Sequence, residues 1–288
     1  MTYILTFWGT RGSIPTPGPD TARYGGNTAC ISIRGPRGRL VILDAGSGLR
    51  PLGHELMGLR NGALTADILL SHTHWDHIQG LPFFKPLSAQ GNSFCIYGAS
   101  QEGVSLEAIL RRQMDPMVFP VPLQALAAKL RVIEIGEGEF PLPGFRASCF
   151  RLRHPGTTLG FRLGPAIGGR EIAYLTDNEL GPGGTYPVPR DWRARLIRFL
   201  QGTDTLIHDA MYSDQIIKAR SGWGHSTPRQ AVDLALESGC RRLLLFHHEP
   251  EHNDDAIDRL LKETRTYARG VAPALEVDAA SEGLELSL

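Results

Sequence analysis

The sequence predicts an α/β fold in which two sheets pack face to face with helices outside them, a four-layer αββα sandwich. Three observations point there. Both halves of the chain begin in strand-like apolar runs and end in alternating strand and helix patterns. Hydrophobic residues make up 42% of the 288, enough for a sizeable core, and 21% charged residues exclude a disordered chain. No stretch has the composition of a linker, so residues 1–288 are expected to form one domain.

In the first third, Tyr3–Phe7 reads as a short strand and Gly9–Asn27 as a Gly/Pro loop holding Pro15, Pro17, Gly18 and Pro19. Cys30–Arg34 and Leu40–Leu43 are apolar runs split by the turn signal Gly35-Pro36-Arg37-Gly38. The second run ends at Asp44-Ala-Gly-Ser-Gly48, and a helix is expected from there to about Arg60. Asp67–Leu70 is a short buried strand that runs directly into His72. In the middle, Leu81–Ala89 is predicted helical, Phe94–Tyr97 a strand and Leu106–Gln113 a helix. Three prolines make Met114–Pro122 a loop. Strands follow near Arg131–Ile135, over Phe145–His154 and Leu159–Leu163, and over Glu171–Thr176, which ends at Asp177. In the last third, Trp192–Leu200 is helical and Thr205–His208 a strand. Ser226-Thr227-Pro228 marks the start of a helix over Arg229–Glu237. Arg242–Phe246 is a strand ending at His247, and Asp254–Tyr267 is a final helix.

Lys and Arg total 30 and Asp and Glu total 30, so the formal charge is zero. Net charge therefore gives no support to long-range attraction for nucleic acid. Cys30, Cys95, Cys149 and Cys240 are far apart and read as buried free thiols in a reducing compartment. The opening Met1-Thr-Tyr-Ile-Leu-Thr-Phe-Trp has no basic region and reads as a strand, not a signal peptide. No run approaches the roughly 18 apolar residues that span a membrane. A soluble cytoplasmic protein is expected.

Chemistry concentrates at Ser71-His72-Thr73-His74-Trp75-Asp76-His77, directly after a buried strand. Four potential ligands fall within six positions, and a turn there lets their side chains converge. Imidazole and carboxylate together suit zinc without any thiolate. The plainer alternative, a polar loop with incidental histidines, fits the His-x-His-x-Asp-His spacing poorly. Three later residues also sit at strand ends: His154 before Pro155-Gly156, Asp177 after Ile172–Thr176, and His247 after Arg242–Phe246. A lone histidine is more often a satisfied polar residue than a ligand. Three strand-end residues together point instead to one edge where all seven meet.

These motifs resemble the metallo-β-lactamase superfamily, in the phosphodiesterase branch that holds RNase Z type tRNA 3′-endonucleases and small cyclic phosphodiesterases. Phe7-Trp-Gly-Thr-Arg-Gly-Ser-Ile-Pro15 is similar to the family's opening strand and Gly-Thr loop. Leu43-Asp44-Ala-Gly46 is similar to its Asp-x-Gly strand end, and His72–His77 to its metal motif. The resemblance covers nearly the whole chain. It implies an αββα sandwich of the metallo-β-lactamase type with two zinc ions per chain, manganese or iron fitting the same donors. By this resemblance His72, His74 and His154 hold one ion, Asp76, His77 and His247 hold the second, and Asp177 bridges them. The apolar run Leu243-Leu-Leu-Phe leads into His247, which favours it over His248. His248 is left as a neighbour of the ligands or a plain surface histidine. Leu206-Ile-His208-Asp209-Ala210 resembles the branch's His-Glu-Ala motif with Asp for Glu, and Gly222-Trp-Gly-His225-Ser-Thr227 resembles its His-Ser-Thr motif. That implies a His225 near the metals and oriented by Asp209. The alternative is that His225 merely caps the helix near Pro228, a job more natural to Ser226 or Thr227.

The reaction the resemblance implies is hydrolysis of a small or cyclic phosphodiester, a cyclic nucleotide being one candidate. Two metals neutralise the phosphate and lower the pKa of a bound water, whose hydroxide attacks phosphorus in line. His225, kept protonated by Asp209, would then protonate the leaving alkoxide. Asp76 has a second role open to it, accepting a proton from the nucleophile. Only positions 155–176 separate His154 from Asp177, too few for the tRNA arm that RNase Z enzymes often carry there. That and the zero net charge favour a compact enzyme over an RNA 3′-end endonuclease, and leave nucleic acid an open question as partner. A carboxylic-ester, thioester or lactone hydrolase would use the same metals but needs no Asp209–His225 pair. A non-enzymatic scaffold with a residual metal site conflicts with the complete ligand set. No membrane partner is expected, and a homodimer follows from the resemblance alone.

Weaker signals remain. Arg11, Arg23, Tyr24 and Asn27 lie in the N-terminal loop, where Arg11 could grip a phosphate bidentately or simply be an exposed loop charge. Trp75 could bind substrate by stacking on a base, could wall the pocket, or could pack in the core. Met114–Pro122, with Met117 and Phe119, reads as an apolar lid or an ordinary loop packed on a helix. Arg190, Arg193, Arg195 and Arg198 on or beside one helix read as a solvated face rather than a nucleic-acid surface.

Overall fold

The computed structural model describes residues 3–59 and 62–288. Its first six strands are β1 (Ile4–Gly9), β2 (Cys30–Arg34), β3 (Leu40–Leu43), β4 (Thr65–Leu69), β5 (Ser93–Gly98) and β6 (Lys129–Glu134). The next seven are β7 (Gly138–Glu139), β8 (Phe145–Arg151), β9 (Leu159–Pro165), β10 (Ile172–Leu175), β11 (Thr205–Asp209), β12 (Arg242–Phe246) and β13 (Glu276–Ala279). The last, β14 (Glu285–Ser287), returns to the first sheet beside β1. The first sheet runs β14-β1-β2-β3-β4-β5-β6 and the second β13-β12-β11-β10-β9-β8-β7. Each sheet changes character half way. In the first, β1, β2 and β3 pair antiparallel, then β3 through β6 pair parallel. In the second, β7 through β10 are antiparallel and β10 through β13 parallel.

The helices α1 (Leu49–Gly58), α2 (Trp75–Ile78) and α3 (Leu106–Gln113) belong to the first half. Those of the second half are α4 (Trp192–Leu200), α5 (Pro228–Ser238) and α6 (Asp254–Val271). Side chains alternate across every central strand. Ile31, Ile33, Val41 and Leu43 face Phe161, Tyr174, Leu244 and Phe246 of the other sheet in the central core. Cys30, Ile42, Ile68 and Ile96 point outward onto Leu49, Leu52, Phe84 and Leu110. Ala173, Leu175, Leu243 and Leu245 point outward onto Leu196, Ala231, Leu234 and Ile257. With both faces of each sheet covered at its centre, β3, β10 and β12 read as continuous apolar runs.

Several expectations need correction. Leu81–Ala89 is not a helix but two 3₁₀ turns, Leu81–Phe83 and Lys85–Ser88. Pro82 and Pro86 each sit in a first turn, where the missing N–H is tolerated, and cannot continue a helix. The strand expected over Phe145–His154 stops at Arg151, which frees His154 to lie in a loop. The edge strands β7, β13 and β14 escaped the sequence reading because two to four residues carry no periodic signal. The expected helix end at Arg60 and the opening Met1-Thr2 lie outside the described residues. Cys30, Cys149 and Cys240 are buried free thiols, whereas Cys95 is half-buried. No helix among the described residues is long and apolar enough to cross a membrane.

Candidate metal centre

The site forms where strand ends from both sheets reach one edge. After β4 the chain passes Ser71 and His72 and enters the single turn of α2, which brings round Asp76 and His77. His154 lies in the connection between β8 and β9. Asp177 and His247 follow β10 and β12, and Asp44 follows β3. Those three have φ of 51°, 59° and 57°. This left-handed region is uncommon for residues with a Cβ, and outliers of this kind gather at functional sites.

The ligand atoms converge. His74 Nδ1 and His154 Nε2 are 3.0 Å apart, and His72, His74 and His154 form one compact donor group. Asp76, His77 and His247 form a second. Asp177 joins them: its Oδ1 lies 3.8 Å from His72 Nε2 and 3.6 Å from His154 Nε2. Its Oδ2 lies 3.1 Å from His77 Nε2 and 3.2 Å from His247 Nε2. Asp76 Oδ2 is 3.1 Å from His77 Nε2 and 3.2 Å from His247 Nε2.

A ring of partners behind the donors sets their orientation, as metal-binding imidazoles require. Asp44, fully buried, accepts hydrogen bonds from Ser71 N at 2.7 Å, Ser71 Oγ at 2.8 Å, His77 Nδ1 at 2.8 Å and Tyr174 Oη at 2.7 Å. Tyr174 belongs to β10 and Asp44 follows β3, so this contact ties the sheets together under the site. His72 Nδ1 lies 3.0 Å from Ser71 Oγ, and His154 Nδ1 lies 3.2 Å from the Gly224 carbonyl. Ser13 donates its backbone N–H to Asp76 Oδ2 at 2.8 Å. Gly224 has φ +87°, and a Cβ there would meet His154 Nδ1 at 2.0 Å, so only glycine fits.

The donor set fits divalent cations. The Nε2 atom of His72 is buried without a hydrogen-bond partner. Burial holds the His72 imidazole well below its ordinary value and His154 down to about 4, so both are neutral and offer lone pairs. Burial would raise the Asp177 carboxyl, but His247, His77, His72 and His154 outweigh it and keep it ionised. Burial would also lower His77, yet Asp76, Asp177 and Asp44 push it well above the ordinary range. Three carboxylates around one buried imidazole are an excess of negative charge that bound cations would balance. Nitrogen and oxygen donors without a thiolate suit zinc, manganese or iron.

His225 sits over this cluster. Its Nδ1 lies 2.7 Å from Asp209 Oδ2. Its ring stacks on His247 with centroids 5.2 Å apart and meets His154 edge-on at 5.3 Å. Burial would lower the imidazole, but the Asp209 carboxylate prevails and raises it to about 9. Thr227, not His225, caps α5, through a full capping box with Gln230.

Other sequence readings fare differently. Arg11 is not placed to grip a substrate: it is fully buried and donates to the Gly25, Glu249 and His252 carbonyls. It instead anchors the N-terminal loop to the segment after His247. His248 is not a surface residue either; it is buried, its Nε2 lies 2.8 Å from the Ala280 carbonyl, and burial drives it down to about 3. Trp75 is not core, being 72% exposed. Within Met114–Pro122, Met114 is buried and Phe119 meets Phe83 edge-on, while Met117 and Val118 are exposed. Arg193 and Arg195 pair with Glu237 and Glu137, a solvated face of balanced charge. Glu179 was missed altogether. Nearly buried, it accepts from Gly222 N at 2.8 Å, Gly224 N at 3.2 Å and Tyr186 Oη at 2.6 Å, and so clasps the loop leading to His225. Its one sequence signal is its place two residues after Asp177.

A family model described as the beta-lactamase superfamily domain matches residues 39–248. Ribonuclease BN from Escherichia coli is 26% identical over 316 aligned positions, covering 95% of this chain and 96% of that protein. The short form of human tRNase Z superposes with a TM-score of 0.63 at 23% identity, covering 98% of each chain. A diphosphatase from the PhnP family superposes with a TM-score of 0.68 at 19% identity, covering 99% of this chain and 98% of that one.

Proposed function

The chain belongs to the β-lactamase superfamily and is a metal-dependent hydrolase, and from that premise we propose that it cleaves a small or cyclic phosphodiester, such as a cyclic nucleotide. The observation that carries this reading is the Asp209–His225 pair, 2.7 Å apart beside the donor cluster. A phosphodiester expels a basic alkoxide, which needs a proton, whereas a thioester expels a much less basic thiolate. Asp209 keeps His225 protonated at neutral pH and leaves its second ring nitrogen facing the centre. One nitrogen of His225 lies within 4.8 Å of the ligand atoms of His154 and Asp177, close enough to serve a leaving group held there.

His72, His74 and His154 would hold one ion, Asp76, His77 and His247 the other, with one oxygen of Asp177 turned to each. Two zinc ions are the proposed complement, with manganese or iron as substitutes. Bound, they supply charge neutralisation of the phosphate and a nucleophile at neutral pH. Asp76 is ionised, because His77 and His247 outweigh its burial, and is placed to take a proton from that nucleophile. Asp44 and Ser71 hold the His77 and His72 rings while the reaction proceeds.

A compact substrate fits the chain between His154 and Asp177. It forms β9 and β10, antiparallel neighbours in the sheet, with no room for a projecting arm. The similarity to Ribonuclease BN over 95% of the chain favours a second reading, an endonuclease acting on RNA 3′ ends. Hydrolysis of bis(p-nitrophenyl) phosphate by metal-reconstituted protein, with chelator-stripped protein as blank, tests the class. Metal-dependent release is expected. No release from protein carrying two ions would overturn it in favour of carboxylic-ester or thioester hydrolysis. Preference for a structured RNA over every mononucleotide diester would move the substrate to the second reading.

A further inference from the structure

The four tryptophans of the chain divide into two pairs. Trp8 donates its indole N–H to Ser32 Oγ at 2.9 Å, and Trp192, buried, donates to the Arg151 carbonyl at 2.7 Å. These two serve the fold. Trp75 and Trp223 are 72% and 52% exposed. An exposed indole sets a large apolar face in water, and such surface marks a contact with something else.

Both exposed indoles adjoin the centre. Trp75 lies in the chain between His74 and Asp76, and His74 is the one ligand open to solvent. Trp223 precedes Gly224, whose carbonyl lies 3.2 Å from His154 Nδ1. His74 and His154 are themselves 3.0 Å apart, so the chain positions of the two tryptophans adjoin residues that meet at one edge of the site. The Arg220 guanidinium lies 4.4 Å from the Trp223 ring centroid. It steadies that indole.

We propose that the diester carries a planar aromatic group, a nucleobase, that stacks on Trp75 and Trp223 beside the His74–His154 edge. This rests on the phosphodiesterase reading and names its substrate class as a nucleotide. A phosphate held by the centre projects its substituents toward the open side, and His74 marks that side. Flat indole faces suit a flat π-system better than an alkyl chain, and every base has one, so stacking selects nucleotides over simple esters without reading the base.

The test compares two esters with the same leaving group, thymidine 5′-(p-nitrophenyl phosphate) and ethyl p-nitrophenyl phosphate, on the metal-loaded protein. The nucleoside ester is expected to have a kcat/KM about tenfold higher or more, within the range of one base–aromatic stack. Trp75→Ala and Trp223→Ala should each cut that ratio severalfold, chiefly through KM, and Trp→Phe at the same position should restore part of it. Thymidine 5′-monophosphate should quench the protein's tryptophan fluorescence, with smaller amplitude in each alanine variant. Equal kcat/KM for the two esters, both being hydrolysed, would overturn the aromatic subsite and leave the phosphodiesterase reading standing. A preference that survives in both alanine variants would also overturn it. Hydrolysis of neither ester would overturn the underlying reading and this inference with it.

Discussion

His225 must stay protonated inside a group of imidazoles, and a single carboxylate decides whether it does. Asp209 at 2.7 Å offsets the burial and raises the ring to about 9. Cations bound beside it lower that value, so activity should fall as pH rises through a limb at or below about 9. Under the proposed acid role the protonated form is the active one, hence the loss on the alkaline side. Asp209→Asn removes the anion and lets burial act, so a pH–kcat profile of that variant should show the limb shifted to lower pH. An unmoved limb would mean that another group supplies the proton. On a diester with an alkoxide leaving group, His225→Ala should lose roughly 10²–10⁴-fold in kcat. Both metals should remain, because His225 lies outside the seven-donor set, and metal analysis of the purified variant checks this. Wild-type turnover would remove His225 from the mechanism. The first four donors were legible from spacing, since His72 to His77 cluster in six positions, whereas the Asp209–His225 pair was implied only by the family resemblance. The roles of Arg11 and His248 were not. Whether a charged or polar side chain faces a pocket or a set of carbonyls depends on contacts outside its local segment: Arg11 with Glu249 and His252, His248 with Ala280.

At the scale of elements, the loop Gly222–His225 is held from below by Glu179, itself on the segment that carries Asp177. One carboxylate therefore couples the segment of Asp177 to the loop of His225. Glu179→Gln replaces charge-assisted bonds with weaker ones and should cost about 1–3 kcal/mol. The expected result is a lower Tm together with a lower kcat while metal content stays at two per chain. A kcat unchanged in the face of a lower Tm would make Glu179 purely structural. Elements with strong periodicity, such as α3, α5 and α6, were readable from sequence. The Leu81–Ala89 segment was not, because its apolar residues suggest a helix while Pro82 and Pro86 divide it. Positive φ at Asp44, Asp177 and His247 was equally hidden, since nothing in their side chains announces it.

At the scale of the molecule, the centre lies between two sheets and draws its donors from both. Asp44, Asp76 and Asp177 are buried together there, so binding of cations should stabilise the whole fold. For each ion, free ligand at about 100 times its Kd adds about 2.7 kcal/mol. Chelation should therefore lower Tm by several degrees, and added zinc should restore it; a Tm indifferent to chelator would argue against resident ions. His248 adds a separate acid limit. Its folded value of about 3 lies below its ordinary 6.5, so its share of stability is complete above about 6.5 and is lost as pH falls toward 3. Thermal melts from pH 7 to 4 should show falling stability that His248→Asn reduces.

The sequence by itself determined the class of chemistry and the layered architecture. Ligand-type residues at short spacing and apolar runs of strand length are local properties, written in consecutive residues. Tertiary structure alone decided how Asp177 divides its two oxygens between the donor groups, and that Asp44 and Tyr174 brace them across the sheets. It also decided that Glu179 clasps the His225 loop and that Trp75 and Trp223 are exposed. These are relations between residues far apart in the chain. They exist only once two sheets have packed and their strand ends share a rim.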